Sequence, residues 1–142
     1  MNHPRLAIAV VAILVAACGG TPVATPSPTL TDGATLAPRP SSSATVEILE
    51  PAQGATIVGT QAHIVLKLTG AKIVTGATTT LRPDEGHVHL YVNNQIVSMN
   101  YGLEQDIPIT PGTLVLRAEF VAADHAPFNP RIQSAEVVFT VK

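Results

Sequence analysis

Cysteine is nearly absent from the chain, and tryptophan is entirely absent. The 142 residues contain a single cysteine, Cys18, so no disulfide can form within the chain. A folded domain must therefore depend on its apolar core. The lack of both a tryptophan and a cysteine pair excludes an antibody-type immunoglobulin domain, whose core is built around these residues.

Positive charge is also scarce. Eight Lys and Arg residues stand against ten Asp and Glu residues, which gives a net charge of −2. No basic stripe with interleaved aromatic residues is present, and residues 45–142 contain no helical pattern longer than one turn. We therefore expect no nucleic acid partner and no polybasic membrane patch.

The longest apolar run lies at the start of the chain. It covers residues 6–17, LAIAVVAILVAA, which is 12 residues. A helix needs about 20 residues to cross a bilayer. A basic start followed by a short apolar run that ends in small residues predicts a secretory signal peptide over residues 1–17.

The end of this run, Val15-Ala16-Ala17-Cys18, resembles the lipobox of bacterial lipoproteins. The resemblance implies cleavage before Cys18 and acylation of its thiol, palmitate included. The alternative is an ordinary signal peptide that happens to precede a free cysteine. Loss of Arg5 with the signal peptide leaves 7 basic and 10 acidic residues, a net charge of −3. Acyl chains would thus supply the membrane anchor. The expected location is the cell envelope, on the outer face of the cytoplasmic membrane, or the outer membrane if the organism has one.

Residues 18–44 are dominated by Pro, Ser, Thr, Gly and Ala and contain no aromatic residue. Such a segment cannot bury enough apolar surface to offset the entropy lost on ordering. We predict a disordered linker that holds a domain away from the anchor.

Residues 45–142 carry dense strand signals that turn residues interrupt every 8 to 12 residues or so. The predicted strands are 45–49, 56–58, 61–69, 71–75, 87–92, 95–100, 104–109, 113–121 and 135–141. Apolar and polar residues alternate along 61–69 and 113–121, which predicts antiparallel sheets with one wet face. Without helices to cover them, two sheets must cover each other. The fold class is therefore all-β, an Ig-like antiparallel β-sandwich. The opening VEILEPAQGATIVG also resembles the first strand of bacterial Ig-like surface modules, in which a Pro-to-Gly kink interrupts an edge strand.

GHVHLYV, residues 86–92, places His87 and His89 on one face of a strand, because residues two apart point the same way. Asn93-Asn94 fits a two-residue hairpin loop. The resulting register predicts a core face formed by Val88, Leu90, Val97 and Met99. It places the two histidines on the wet outer face, so Met99 is a core residue rather than a sulfur ligand.

Two histidines make a weak metal site, and His125, in VAADHAPFNP, is the candidate third ligand. Asp124 is a further ligand or orients an imidazole from the second shell. Imidazole ligands without Met or Cys favour Cu(II) or Zn(II) over Cu(I). Binding should weaken below about pH 6.5, where histidine protonates. The alternative is that these are ordinary solvated residues or contacts for a partner. His63 also points outward, but nothing near it suggests a site.

GHVHLYV, PGTLVLRAEF and ADHAPFNPRIQS together resemble a small family of exported bacterial domains of unknown function. The family pattern is Gly-His-x-His-aliphatic, a Pro-Gly turn before a Leu-rich strand, and Asp-x-x-His-x-Pro-x-x-Pro. The matching residues are Gly86, His87, His89, Leu90, Pro111, Gly112, Leu114, Leu116, His125, Pro127 and Pro130. The chain departs from the pattern three residues before His125, where it has Ala122. The resemblance implies that the three histidines share one place in the fold, and it implies no activity.

No Gly-x-Ser-x-Gly, phosphate loop or paired carboxylates accompany these motifs. We expect a protein that is not an enzyme, although a three-histidine zinc site could in principle activate water. Two hypotheses stay open. The first is a lipid-anchored interaction module that contacts cell-wall polymer or another envelope protein. The second is an envelope protein that binds copper or zinc.

Overall fold

The computed structural model describes residues 38–142, and that part of the chain contains no helix. The predicted signal peptide, Cys18 and most of the predicted linker lie outside the described residues. Within residues 38–142, no segment meets the length and hydropathy that a membrane-spanning helix requires. The strands are β1 (Thr45–Glu50), β2 (Thr56–Ile57), β3 (Gln61–Thr69), β4 (Lys72–Ile73), β5 (Glu85–Val92), β6 (Gln95–Ser98), β7 (Glu104–Pro108), β8 (Gly112–Ala122), β9 (Pro127–Gln133) and β10 (Val137–Val141).

The strands form two sheets that pack face to face. One sheet has the order β1-β3-β7, and the other has the order β2-β10-β8-β5-β4, with β6 beside β5 and β9 beside β8. All pairs are antiparallel except β2 with β10 and β4 with β5. The predicted all-β sandwich is therefore confirmed.

The first strand changes sheets at the predicted Pro-to-Gly kink. β1 pairs with β3 in the smaller sheet, whereas β2 pairs with β10 in the larger one. Between them, Gly54 has a φ of 78° and donates its N–H to the carbonyl of Val138 at 2.7 Å. The left-handed φ favours glycine at this position. The kink thus ties the chain to both sheets.

The core lies between the sheets and follows the alternation in the sequence. Its fully buried members include Ala62, Ile64, Val88, Leu90, Leu116, Ala118, Phe120 and Phe139. Phe120 also stacks on Phe128 at 5.4 Å between ring centroids. Burial of each large side chain contributes about 1.5–3 kcal/mol, so this face supplies most of the stability of a chain without disulfides.

The β5–β6 hairpin departs from the predicted register after two pairs. Asn93 and Asn94 form the loop with φ values of 48° and 65°, and Val92 pairs with Gln95 as predicted. The register then shifts, so that Leu90 pairs with Ser98 instead of Val97. The prediction that Met99 belongs to the core is wrong, because its side chain is 51% exposed. A β-bulge adds one residue to a strand and reverses the faces of those beyond it.

β9 is not among the predicted strands, because Pro127 and Pro130 interrupt its sequence. It pairs with β8 only, through Glu119–Gln133, Phe120–Ile132 and Val121–Pro127. Proline is tolerated on such an edge strand, where its missing N–H does not interrupt a ladder. The β8–β9 turn therefore brings His125 back beside the start of β5.

Residues 38–44, which the sequence assigned to the linker, contact the sandwich. Ala44 is buried, and the N–H of Asn129 donates to the carbonyl of Pro40 at 3.0 Å. Arg39 reaches the β8–β9 turn and forms an ion pair with Asp124. The described structure therefore extends N-terminally beyond Thr45.

Candidate metal centre

β5 presents His87 and His89 on the face that points away from the sandwich core. Gly86 allows β5 to approach β8 closely, because a Cβ at this position would lie 1.9 Å from the carbonyl oxygen of Val121. His87 pairs across the sheet with Val121, and His89 pairs with Glu119. The glycine before the first histidine therefore sets the position of the His87 backbone.

The tight turn between β8 and β9 presents His125. The residue has a left-handed φ of 66°, which is unfavourable for most residues other than glycine. Its N–H donates to the carbonyl of Ala122 at 3.0 Å, and the N–H of Ala122 donates to the carbonyl of Ala126 at 3.1 Å. The Asp124 carboxylate accepts from the N–H of Ala126 at 3.1 Å. These bonds hold the turn in a conformation that points the imidazole at β5.

The three imidazoles converge on one place. Nε2 of His87 lies 3.0 Å from Nε2 of His89 and 2.9 Å from Nδ1 of His125. One ring nitrogen from each of the three residues lies within 4.8 Å of the other two. His87 and His125 are 38 residues apart in the sequence. Together with His89 they could hold a metal ion.

Hydrogen bonds between the rings do not account for this arrangement. A nitrogen of a neutral imidazole carries either one proton or one lone pair in the ring plane. Nε2 of His87 faces two other ring nitrogens at hydrogen-bond distance, so it can satisfy only one of them well. A shared cation would satisfy all three lone pairs. Metal–nitrogen bonds of about 2.0–2.1 Å in tetrahedral geometry would keep the three nitrogens roughly 3.3 Å apart.

The expectation that the two β5 histidines lie on a wet face is wrong. His87 is 1% exposed and His89 is 4% exposed. The ring of His125 lies edge-on against His87 at 4.2 Å, and the ring of Tyr101 lies 5.1 Å from it. His125 itself is exposed. The site therefore has a buried side made by β5 and a solvent side made by the turn.

Burial sets the protonation state of the inner pair. Desolvation, followed by repulsion from His125 and His89, lowers the pKa of His87 from 6.5 to about 4. Desolvation, followed by repulsion from His125, also lowers the pKa of His89. Both rings are therefore neutral at pH 7, and a neutral ring is the form that binds metal.

His87 has one polar atom that no described residue satisfies. Its Nδ1 is buried without a hydrogen-bond partner in residues 38–142. A ligand histidine usually donates this N–H to a carboxylate or carbonyl. The His87 ring instead packs against the rings of Tyr101 and His125. Buried polar groups are rarely left unpaired, and the exceptions often lie at functional sites.

The sequence did not reveal a buried carboxylate on the strand next to the histidines. Glu119 is a polar residue of the alternating segment 113–121, for which the sequence predicts one wet face, yet it is fully buried. It accepts two hydrogen bonds of 2.6 Å from the Arg131 guanidinium. Burial alone would raise the pKa of Glu119, but the bonds from Arg131 hold the pKa below its usual value. A carboxylate thus stands across the strand pair from His89, and its charge is already matched.

Asp124 contacts the centre through the backbone of the turn. Its carboxylate is bound by Arg39 and by the N–H of Ala126. The Arg39 hydrogen bonds lower the pKa of Asp124. His63 lies in the other sheet, where its Nδ1 is 2.9 Å from Asp106, and it takes no part in the cluster. The sequence did not reveal two contacts of this site. Tyr101 packs against His87, and Arg39 binds the turn that carries His125. Neither residue belongs to a local sequence pattern.

No protein-family model, no curated protein and no solved structure matches this chain. The resemblance to the family of exported domains therefore stays a prediction, as does the lipobox.

Proposed function

We propose that this protein is a lipid-anchored lipoprotein of the bacterial cell envelope whose β-sandwich binds a divalent transition metal through His87, His89 and His125. The membrane anchor is the acylated Cys18, and the role is non-catalytic. The observation that carries the proposal is the convergence of three ring nitrogens from two separate chain segments.

The chemistry of the ligands favours Zn(II) or Cu(II). Imidazole suits both ions, and the cluster contains no thiolate or thioether to favour Cu(I). The imidazoles of His87 and His89 have lowered pKa values and are neutral at pH 7, so protons compete little for these two ligands. Three ligands leave one tetrahedral position for water on the exposed side, next to His125.

The alternative is an interaction module without a metal. Such a module has no need for three imidazoles at hydrogen-bond distance from one another, two of them buried. Buried polar groups cost free energy unless something compensates them. Metal ligation provides this compensation, whereas a partner that contacts the outer surface would reach only His125.

Titration of Cu(II) and of Zn(II) into the purified full-length protein at pH 7.5 tests the proposal. We expect one site with a dissociation constant of about 1 μM or tighter. The Cu(II) electron paramagnetic resonance spectrum should show coupling to nitrogen ligands. The control is His63→Ala, which removes an exposed imidazole in the other sheet and should leave both results unchanged. Absence of binding of either ion at micromolar concentration would refute the proposal.

A further inference from the structure

Arg39 lies outside the sandwich strands and is hydrogen-bonded to the turn that carries His125. Its guanidinium donates to both Asp124 carboxylate oxygens, at 2.5 and 2.9 Å. It also donates to the carbonyls of Ala126 and Pro127, at 2.8 and 2.9 Å. One side chain thus makes four hydrogen bonds to a segment of four residues, and that segment includes His125.

These contacts surround the metal ligand on both sides. Asp124 precedes His125 and Ala126 follows it, so Arg39 fixes the backbone on either side of a residue with a left-handed φ. Such a conformation is strained for a residue other than glycine and persists where its surroundings enforce it. The imidazole of His125 is exposed, whereas those of His87 and His89 are buried.

We propose that Arg39 is a positioning residue of the metal centre, and that docking of residues 38–44 is coupled to metal binding. This inference rests on the proposed function. The guanidinium holds the turn so that Nδ1 of His125 stays beside Nε2 of His87, where both can reach one ion. The segment that precedes the sandwich therefore completes the site without contributing a ligand.

The number and geometry of the bonds set Arg39 apart from an ordinary surface ion pair. Isolated surface pairs contribute little to stability, because solvent screens them and ordering two side chains costs entropy. A bidentate carboxylate contact with two further carbonyl contacts uses the planar, forked arrangement of donors that lysine cannot reproduce. Two more contacts hold residues 38–44 against the sandwich, namely the Pro40–Asn129 hydrogen bond and the burial of Ala44.

Coupling of this kind is reciprocal. If docking of residues 38–44 favours metal binding, then metal binding favours docking by the same free energy. The N–H of Asn129, which donates to Pro40, reports on the docked state.

Cu(II) titration of the full-length protein and its variants tests the positioning role. Arg39→Gln and Asp124→Asn should each weaken binding by about 10-fold, the lower end of the effect of removing an outer-shell partner. Arg39→Lys should restore part of this loss. The Cu(II) spectrum of Arg39→Gln should show fewer coupled nitrogens than that of the wild type. Lys67→Gln, which removes an exposed cation from the other sheet, is the matched control and should match the wild type.

A double-mutant cycle separates positioning from a general loss of stability. In the His125→Asn background, Arg39→Gln should have no further effect on affinity. An equal loss in both backgrounds would overturn the inference, as would wild-type affinity and spectrum in both Arg39→Gln and Asp124→Asn. These results differ from failure of the proposed function, in which the wild type itself binds no metal.

Hydrogen exchange of the full-length protein tests the coupling. Saturating Zn(II) should slow exchange of the Asn129 N–H, and Arg39→Gln should abolish this protection. Equal exchange rates at Asn129 with and without bound Zn(II) would overturn the coupling.

Discussion

Nδ1 of His125 lies 2.9 Å from Nε2 of His87, although the first is on an exposed turn and the second is buried beneath it. The two proposed ligands should therefore respond differently to substitution. The exposed one can be removed at little cost to the fold, whereas the buried one contributes to both packing and binding.

His125→Asn should strongly weaken metal binding and spare the fold. Asparagine tolerates the left-handed φ of 66°, so the turn keeps its backbone. We expect a loss in Cu(II) affinity greater than about 100-fold, beyond the usual effect of losing an outer-shell partner. The free energy of unfolding should change by less than about 0.5 kcal/mol. Calorimetric titration and chemical denaturation measure the two quantities. Unchanged affinity would remove His125 from the ligand set.

The metal-free protein should lose stability as the pH falls from about 6.5 towards 4. His87 has a pKa of 6.5 when unfolded and about 4 when folded, so the unfolded chain binds more protons in this interval. The stabilising contribution is complete above pH 6.5 and is lost as the pH falls through about 4. Urea denaturation at pH 7.0, 5.5 and 4.5 measures it. In His87→Phe the free energy of unfolding should depend less on pH. An unchanged pH dependence would contradict the attribution of this loss of stability to His87.

The same pKa lowers the pH at which protons compete for His87, one of the three proposed ligands. An ordinary histidine competes with protons below about pH 6.5. At His87 this competition begins only near pH 4.

Met99→Ala should cost less than about 0.5 kcal/mol, because the side chain is half exposed. Val88→Ala, at a fully buried position of the same hairpin, should cost about 1–3 kcal/mol through loss of transfer free energy and creation of a cavity. Thermal denaturation compares the two. If Met99→Ala cost as much stability as Val88→Ala, Met99 would be a core residue and the hairpin would have the predicted register without a bulge.

Gly86→Ala should destabilise the fold by about 2 kcal/mol or more, since the new Cβ would collide with the Val121 carbonyl. Displacement of β5 would also move His87, so metal affinity should fall. Gly102→Ala, where the nearest atom lies 3.1 Å from the new Cβ, is the control and should cost less. Equal denaturation midpoints for the two variants would refute the steric argument.

Cys18→Ser should leave an unprocessed precursor and abolish labelling by a fatty-acid probe. The residue lies outside the described part of the chain, and its resemblance to a lipobox motivates the test. Normal processing of the variant would instead indicate an ordinary signal peptide.

Alternation predicted the strands and the inner faces well, because burial between two sheets leaves a period-two pattern in β3 and β8. The same pattern says which face a residue occupies but not what covers that face. His87 and Glu119 were assigned correctly to the side opposite the core, yet Tyr101, the β8–β9 turn and Arg131 bury them. Burial by segments that are distant in sequence leaves no pattern in the local sequence.

The motif predicted that the three histidines converge. The sequence did not reveal the bulge and the Arg39 contacts described above. The hairpin loop was visible in Asn93-Asn94, but the bulge after Leu90 depends on packing rather than on turn residues. Arg39 lies in a stretch whose composition predicts disorder, and its four bonds require a folded partner. A composition argument averages over a segment and cannot detect one specific side chain.

The unequal burial of the ligands also determines how an ion would leave. His87 and His89 close the inner side, so exchange with a chelator in solution proceeds past His125. Release would then begin with detachment of that imidazole, and the residence time of the ion would depend on how often the turn opens rather than on unfolding of the sheet. A weakened turn would shorten this residence time more than it slows capture, since affinity differences usually reside in the dissociation rate.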